Sequence, residues 1–185
     1  MVYKPAEDSF LLEKEIKNYL GDLKRKRRID ILDMGSGSGI QAQACIKSGA
    51  DKTRVWCADI DEKAIKRLEG QGLKTIQTDL FANIKKQTRF DLIIFNAPYL
   101  PEDKEEKKYD KCLDTTAGEQ GYEIILKFLE QARIHLNKWG KILLLFSSLS
   151  KPEIILSYAK KLGYSYKKLA EEKLFFEKLF VYKLE

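Results

Sequence analysis

IDILDMGSGSG, residues 29–39, is the stretch of this sequence that decides the fold. A short apolar run leads into Gly35, Gly37 and Gly39, and residues 40–48 then have a helical pattern. Glycine lets the backbone turn sharply and approach a ligand closely at the carboxyl end of a strand, where open α/β sheets bind ligands. The stretch therefore predicts a strand, a ligand-binding turn and a helix, and a purely structural tight turn is the alternative.

The spacing of the glycines and the acid before them indicate the class of ligand. The dinucleotide-binding pattern Gly-x-Gly-x-x-Gly would need its third glycine at position 40, where Ile40 stands. Asp33 precedes the first glycine by two residues and would repel a pyrophosphate. An acid at this place favours a cationic or hydroxyl-bearing ligand instead.

Strand and helix patterns alternate on both sides of this stretch, which is typical of an α/β fold with a mostly parallel sheet. The sequence predicts strands at residues 29–34, 54–58, 73–78, 90–95 and 141–146, and two more near 164–169 and 175–184. It predicts helices at residues 7–20 (ended by Gly21), 40–48, 61–69, 120–137 and 152–162. We expect one domain over residues 1–185, with an N-terminal helix and basic connection over 1–28 and the core over 29–185.

The composition excludes several classes of protein. The 185 residues include 34 Lys and Arg against 28 Asp and Glu, a formal net charge of +6. No apolar run reaches the roughly 18 residues of a membrane-spanning helix, and the first residues lack the order of a signal peptide, so we expect a cytoplasmic protein. Cys45, Cys57 and Cys112 are scattered and His135 is the single histidine, so we expect neither a disulfide framework, nor a metal site, nor a histidine-based catalytic triad. His135 is expected at the carboxyl end of a helix, where the dipole favours a cation.

Two charged segments allow more than one interpretation. Residues 24–28 read KRKRR, a run that can bind the phosphates of nucleic acid or simply connect the first helix to the first strand through solvent. Residues 102–111 mix both signs of charge with almost no apolar residue and are expected to form a mobile surface loop.

Acids also follow the second and third predicted strands. A carboxylate at the position of Asp59 can accept both hydroxyls of a ribose. Its alternative role, capping the next helix, is one that Asp61 can fill. Asp79 follows the third strand, so that three acids at successive strand ends are expected to line one rim of the sheet.

NAPY, residues 96–99, follows the fourth predicted strand. Alone it is typical of a turn, because Asn and Pro both favour turns. Together with the strand-end residues it resembles the Asn-Pro-Pro-Tyr motif of class I S-adenosylmethionine-dependent methyltransferases that act on planar nitrogen. Residues 3–12 (YKPAEDSFLL), 76–80 (IQTDL) and 118–123 (GEQGYE) are similar to motifs of the archaeal and eukaryotic branch of the HemK family, and the resemblance covers almost the whole chain.

This resemblance implies a Rossmann-like fold with a seven-stranded, mostly parallel sheet and helices on both faces. It implies S-adenosyl-L-methionine as cofactor and S-adenosyl-L-homocysteine as product. The implied cofactor-binding residues are Ser9, Asp33, Gly35, Gly37, Gly39, Asp59, Ile60, Asp79, Leu80 and Asn96. Asp33 and the glycines would hold the amino-acid end, Asp59 the ribose, Asp79 with Leu80 the adenine, and Ser9 would close over the methionine part.

Members of this branch methylate the glutamine side chain in the Gly-Gly-Gln motif of class-1 peptide-chain release factors. The implied catalytic residues are Asn96, Ala97, Pro98 and Tyr99. The side-chain oxygen of Asn96 and the main-chain carbonyl of Ala97 would accept the two N–H bonds of the target amide, and Tyr99 would stack on it. Ala97 stands where the family has proline and Ala117 where it has glycine; alanine keeps the carbonyl but loses the rigidity of proline.

Other functions stay open. The same motif serves amino-methyltransferases that act on adenine in DNA or on a base in RNA, although such enzymes usually flip their base and carry added surface to read sequence. A protein lysine methyltransferase and a cofactor-binding protein without catalysis are further alternatives. The resemblance also implies a small zinc-binding activator subunit, added beside the third strand from Leu73 to Thr78, and an archaeal source.

Overall fold

The computed structural model describes residues 6–99 and 121–185. The predicted loop at residues 102–111, Cys112, Ala117 and the motif residues 3–5 and 118–120 lie outside the described residues.

The described residues form seven strands and five helices. The strands are β1 (Ile31–Met34), β2 (Val55–Asp59), β3 (Lys74–Gln77), β4 (Phe90–Asn96), β5 (Leu136–Ser147), β6 (Tyr166–Lys173) and β7 (Lys178–Leu184). The helices are α1 (Glu7–Asp22), α2 (Ile40–Lys47), α3 (Glu62–Gly70), α4 (Glu123–His135) and α5 (Pro152–Lys161). No helix within these ranges is both long enough and apolar enough to cross a bilayer.

One sheet contains all seven strands in the order β3-β2-β1-β4-β5-β7-β6. β1 to β5 are parallel, whereas β7 is antiparallel to β5 and to β6. This confirms the expected Rossmann-like, mostly parallel, seven-stranded sheet. Met34 pairs with both Ala58 and Phe95, and Ala58 pairs with Ile76, so the carboxyl ends of neighbouring strands meet along one edge of the sheet, here called the site edge.

Helices cover both faces of the sheet, and β4 shows why. Leu92 and Ile94 point to one side, where they pack with α1 and α2, and Ile93 and Phe95 point to the other, where they pack with α4 and α5. The rings of Phe95 and Phe128 of α4 lie 4.5 Å apart. A strand buried on both faces carries a continuous apolar run, as its sequence does.

Two predicted helix ends need correction. α1 continues through Gly21 and ends only after Asp22, where the N–H of Leu23 bonds to the carbonyl of Leu20 at 3.2 Å. α4 ends at His135 rather than near residue 137, because the next residue already has extended backbone and pairs with Phe90 in β4.

The C-terminal hairpin also differs from the prediction. β6 begins at Tyr166 and continues to Lys173, four residues beyond the predicted end, and β7 begins three residues later than predicted, because residues 174–177 form the turn between them. The N–H of Leu174 donates to the carbonyl of Glu177 at 2.8 Å and closes this turn. Apolar residues at positions 175 and 176 had suggested strand, but they belong to the turn.

Candidate functional site

The glycine loop that follows β1 has the geometry that its sequence predicts. Gly35, Gly37 and Gly39 have φ angles of 61°, 46° and 81°, the left-handed region that other residues rarely adopt. A Cβ on Gly39 would lie 2.5 Å from Cδ2 of Leu68, so close packing also requires the last glycine. Ser36 braces the loop by donating its hydroxyl to the carbonyl of Asp33 at 2.7 Å.

Asp33 lies beneath this loop and is buried. Its Oδ2 accepts the N–H of Ala42 at 3.2 Å, which ties the acid to the start of α2. Burial is the main cause that raises the pKa of Asp33 to about 7; the neighbouring charge of Asp59 adds to the rise, and hydrogen bonds from Ala42 and Ser36 oppose it. A cationic ligand group beside Asp33 would favour its ionised form, so this acid fits a ligand that carries an ammonium.

Asp59 ends β2 and is held in place by backbone donors. Its Oδ2 accepts the N–H of Gly37 at 2.7 Å, and its Oδ1 accepts the N–H of Asp61 at 2.9 Å. Asp61 caps α3 by accepting the N–H of Lys63, as predicted. Asp59 is therefore not free of contacts, but each carboxylate oxygen keeps a further acceptor position, the arrangement needed to receive two neighbouring hydroxyls.

The rim beyond Asp59 consists of Ile60, Asp79 and Leu80. Ile60 is 60% exposed, and Leu80 is buried with a left-handed φ of 49°. The N–H of Thr78 donates to the carbonyl of Asp59 at 2.8 Å and holds the two strand ends together. Oδ2 of Asp79 lies 3.0 Å from Nζ of Lys127, an exposed ion pair that the sequence had not indicated.

Only one of the two polar groups in the side-chain amide of Asn96, the last residue of β4, has a hydrogen-bond partner among the described residues. Its Nδ2 donates to Oδ2 of Asp8 at 2.9 Å. Its Oδ1 is buried and has no hydrogen-bond partner among residues 6–99 and 121–185. Because a buried acceptor without a partner is costly, this oxygen is an available acceptor for an N–H group of a ligand.

Asp8 is the residue that sequence reasoning missed at this site. It is buried in the first turn of α1, and it shares with Ser9 the N-terminal motif that had been singled out. Oδ1 of Asp8 accepts the N–H of Ser9 at 2.6 Å, and the carbonyl of Ser9 accepts Nε2 of Gln41 at 3.0 Å. These contacts bring the N-terminal motif to the glycine loop, and the buried Oε1 of Gln41 also has no partner among the described residues.

The segment after Asn96 is fixed at both ends. The N–H of Ala97 donates to the carbonyl of Leu145 in β5 at 3.3 Å, and Oγ of Ser150 donates to the carbonyl of Tyr99 at 3.2 Å. Tyr99 packs against the apolar cluster of α1, and burial together with the negative charge of Asp8 raises the pKa of its phenol. These contacts hold the segment, with Pro98 half-buried at its centre, although alanine replaces the first proline of the motif.

Two of the other singled-out features lie away from this site. The basic run at residues 24–28 precedes β1 and so lies at the amino end of that strand, opposite the site edge. His135 ends α4 as predicted, but it is buried and stacks on Phe81 with ring centroids 4.7 Å apart. Its Nδ1 lies 2.9 Å from the carbonyl of Thr88, and burial lowers its pKa, so the side chain packs as a neutral ring rather than as a cation at a helix end.

Comparison with known proteins identifies relatives of this chain. The model of the methyltransferase small domain family matches residues 16–173. A Methanocaldococcus jannaschii protein described as a protein N5-glutamine methyltransferase is 37% identical over 97% of this chain and 89% of its own length. The eRF1 methyltransferase catalytic subunit of Schizosaccharomyces pombe is 26% identical over 88% of this chain and 80% of that protein.

More distant relatives and a solved structure agree with these. The release factor glutamine methyltransferase of Rhodopirellula baltica is 29% identical over 78% of this chain, which spans about half (53%) of that longer protein. The E. cuniculi Mtq2–Trm112 complex, described as responsible for methylation of the eRF1 termination factor, contains a chain with a TM-score of 0.77. That chain is 24% identical, and the match covers 100% of this chain and 98% of the other, which shows the shared fold.

Proposed function

We propose that this chain methylates a glutamine of a release factor. The chain belongs to the methyltransferase small domain family and, within it, to the archaeal and eukaryotic branch of the HemK family. The reaction transfers a methyl group from S-adenosylmethionine to the side-chain amide nitrogen in the Gly-Gly-Gln motif of a class-1 factor. The observation that carries the proposal is the buried, unpartnered Oδ1 of Asn96 at the carboxyl end of β4.

The residues at the site edge fit the cofactor. Asp33 would pair with its ammonium, Asp59 would accept its ribose hydroxyls, and Asp79 with Leu80 would border its adenine. The left-handed glycines leave room for close approach, and Ser9 lies buried beside the same loop. When bound, the cofactor supplies an electrophilic methyl group on a sulfonium. The residues of this chain position the target amide.

The difficulty of the reaction lies in the target amide, whose nitrogen lone pair is delocalised into its carbonyl. Oδ1 of Asn96 would accept one N–H and the main-chain carbonyl of Ala97 the other, so that the lone pair faces the methyl group. Tyr99 would stack on the amide plane. Positioning of this kind contributes up to about 7–11 kcal/mol to a rate, and the proton that the nitrogen loses passes to water.

Asp8 acts in this scheme as a positioning residue. An ionised carboxylate accepts hydrogen bonds but cannot donate them. The contact at 2.9 Å therefore requires that Asn96 turn its NH₂ group toward Asp8. The oxygen of Asn96 then points away from Asp8 and toward the substrate. We expect Asp8→Ala to lower kcat about tenfold while cofactor affinity changes little, because the variant loses the contact that orients the Asn96 amide.

A labelled methyl-transfer assay tests the proposed function. We expect transfer to the release factor, and none to the same factor with its motif glutamine changed to alanine, to DNA or to RNA. Asn96→Ala is expected to lower kcat by more than 100-fold with cofactor Kd within about threefold of wild type. Asn18→Ala, which removes an exposed asparagine from α1, is the matched control and should keep full activity. Transfer to nucleic acid alone, or turnover by Asn96→Ala, would refute the assignment.

We also propose that a small zinc-binding subunit pairs with β3. β3 is the outermost strand at its end of the described sheet, and an edge strand can accept a further strand. The E. cuniculi relative is found with Trm112. Hydrogen exchange tests the surface: adding the partner should slow exchange of the outward-facing amides of β3 but not of β6, the other edge strand. Protection of β6 instead would contradict this placement.

A further inference from the structure

Large apolar side chains exposed on the surface are unevenly placed. The described residues expose eight of them, namely Phe10, Ile60, Ile134, Trp139, Leu149, Tyr166, Phe175 and Phe176. Four of the eight belong to segments that contact the Asn96–Tyr99 segment or its immediate supports. We call these four side chains, Phe10, Leu149, Phe175 and Phe176, the apolar rim.

Phe175 and Phe176 form the most exposed part of the rim. They are 92% and 87% exposed, and their rings meet edge to face with centroids 4.6 Å apart. They occupy the turn between β6 and β7, and the pairing of Ser147 with Leu179 places this turn at the carboxyl end of β5, which is the site edge. A contiguous exposed aromatic pair is typical of a surface that binds a partner.

Contacts fix this turn near the Asn96–Tyr99 segment. The hydroxyl of Ser147 donates to the carboxylate of Glu177, and the N–H of Lys178 donates to Oγ of Ser148 at 3.0 Å. Glu177 lies close enough to Tyr99 for its charge to help raise the pKa of that phenol. These contacts tie the tip of the hairpin to residues 147–148, just before Ser150, whose hydroxyl bonds to the carbonyl of Tyr99.

Leu149 and Phe10 belong to the elements that support the same segment. Leu149 is 42% exposed and precedes Ser150, whose hydroxyl bonds to the carbonyl of Tyr99. Phe10 is 56% exposed and lies two residues after Asp8, the hydrogen-bond partner of Asn96.

We propose that the apolar rim docks the polypeptide segment that flanks the target glutamine of a protein substrate. The inference rests on the proposed function and names the surface by which the substrate is recognised. The rim lies on elements that border or support the Asn96–Tyr99 segment, and its apolar and aromatic character fits apolar side chains of a protein loop. The five consecutive cations that would suit nucleic acid, residues 24–28, lie at the opposite edge of the sheet.

Steady-state methylation of the release factor tests the rim. The double variant Phe175→Ala/Phe176→Ala is expected to raise KM for the factor at least tenfold, with kcat and the Kd for S-adenosylmethionine within about twofold of wild type. Trp139→Ala is the matched control, because Trp139 is 78% exposed but lies near the start of β5, at the opposite edge. Its KM should equal that of wild type.

The outcomes separate the two proposals. If the wild-type protein, assayed together with the zinc-binding subunit proposed above, fails to methylate the factor, the proposed function is wrong. If the wild type is active and the double variant keeps its KM, or if Trp139→Ala raises KM equally, the docking role is overturned. A fall in kcat at unchanged KM overturns it as well. Unchanged cofactor binding and circular dichroism establish that the double variant is folded, which is expected because both rings are exposed.

Discussion

Replacing Asp33 by asparagine should stabilise the empty protein at neutral pH while weakening its affinity for the cofactor. Asp33 is 1% exposed, and its folded environment raises its pKa from 3.8 to about 7. The carbonyl oxygen of asparagine can still accept the N–H of Ala42, the bond that the carboxylate accepts at 3.2 Å. The substitution therefore removes the titration with little other change.

The pKa difference sets the size of the effect. A shift of about 3 pH units corresponds to about 4 kcal/mol at 1.36 kcal/mol per unit. Well below pH 3.8 the acid is protonated in both the folded and the unfolded chain. As the pH rises toward 7 the unfolded chain releases its proton first, so wild-type stability declines until the folded acid ionises too. Between pH 4.5 and pH 8 the unfolding free energy of Asp33→Asn, relative to wild type, should grow by about 3 kcal/mol.

Urea unfolding at a series of pH values, without cofactor, measures this difference directly. Asp22→Asn, at the exposed end of α1, is the matched control for the loss of a carboxylate and should not reproduce the gain of about 3 kcal/mol. Saturating S-adenosylmethionine should cancel much of the advantage of Asp33→Asn, because the ammonium stabilises the ionised acid. A gap between variant and wild type that stays constant with pH, or a variant that is less stable at pH 8, would refute the reasoning.

Two further predictions concern packing. Gly39→Ala should lower the unfolding free energy by about 1–3 kcal/mol, because the residue has a φ of 81° and an added Cβ would collide with Leu68. Gly21 in α1 has open space around it, so the control Gly21→Ala should stabilise the protein slightly. Equal melting temperatures for the two variants would contradict this. Burial lowers the pKa of His135, so the wild type should lose stability relative to His135→Gln as the pH falls from 7 to 5. Urea unfolding at both pH values measures this change. A difference in unfolding free energy that does not depend on pH would show that the ring does not titrate as described.

Features that follow from local sequence could be predicted. The apolar run of β4, the positive φ of Gly35 and the capping of α3 by Asp61 each depend on a few neighbouring residues, and each has the predicted form. Asp59 could be placed at the site edge because the carboxyl ends of parallel strands must meet there.

Contacts between distant parts of the chain could not be predicted in the same way. Asp8 and Asn96 are 88 residues apart in sequence, and no local pattern indicates that α1 brings one to the other. The same holds for the ion pair between Asp79 and Lys127. The helical pattern of its segment places His135 at a helix end, as the structure does, whereas its stacking on Phe81 is decided by tertiary packing.

The position of Asp8 has a consequence for how the protein loses activity on heating. Asp8, which accepts a hydrogen bond from the Asn96 amide, lies in the first turn of α1, and helix ends fray at temperatures well below global unfolding. Once that turn opens, the amide is free to rotate although the sheet and its glycine loop stay intact. Methyl transfer should then disappear at a lower temperature than the melting of the β-sheet, with cofactor binding persisting in the interval.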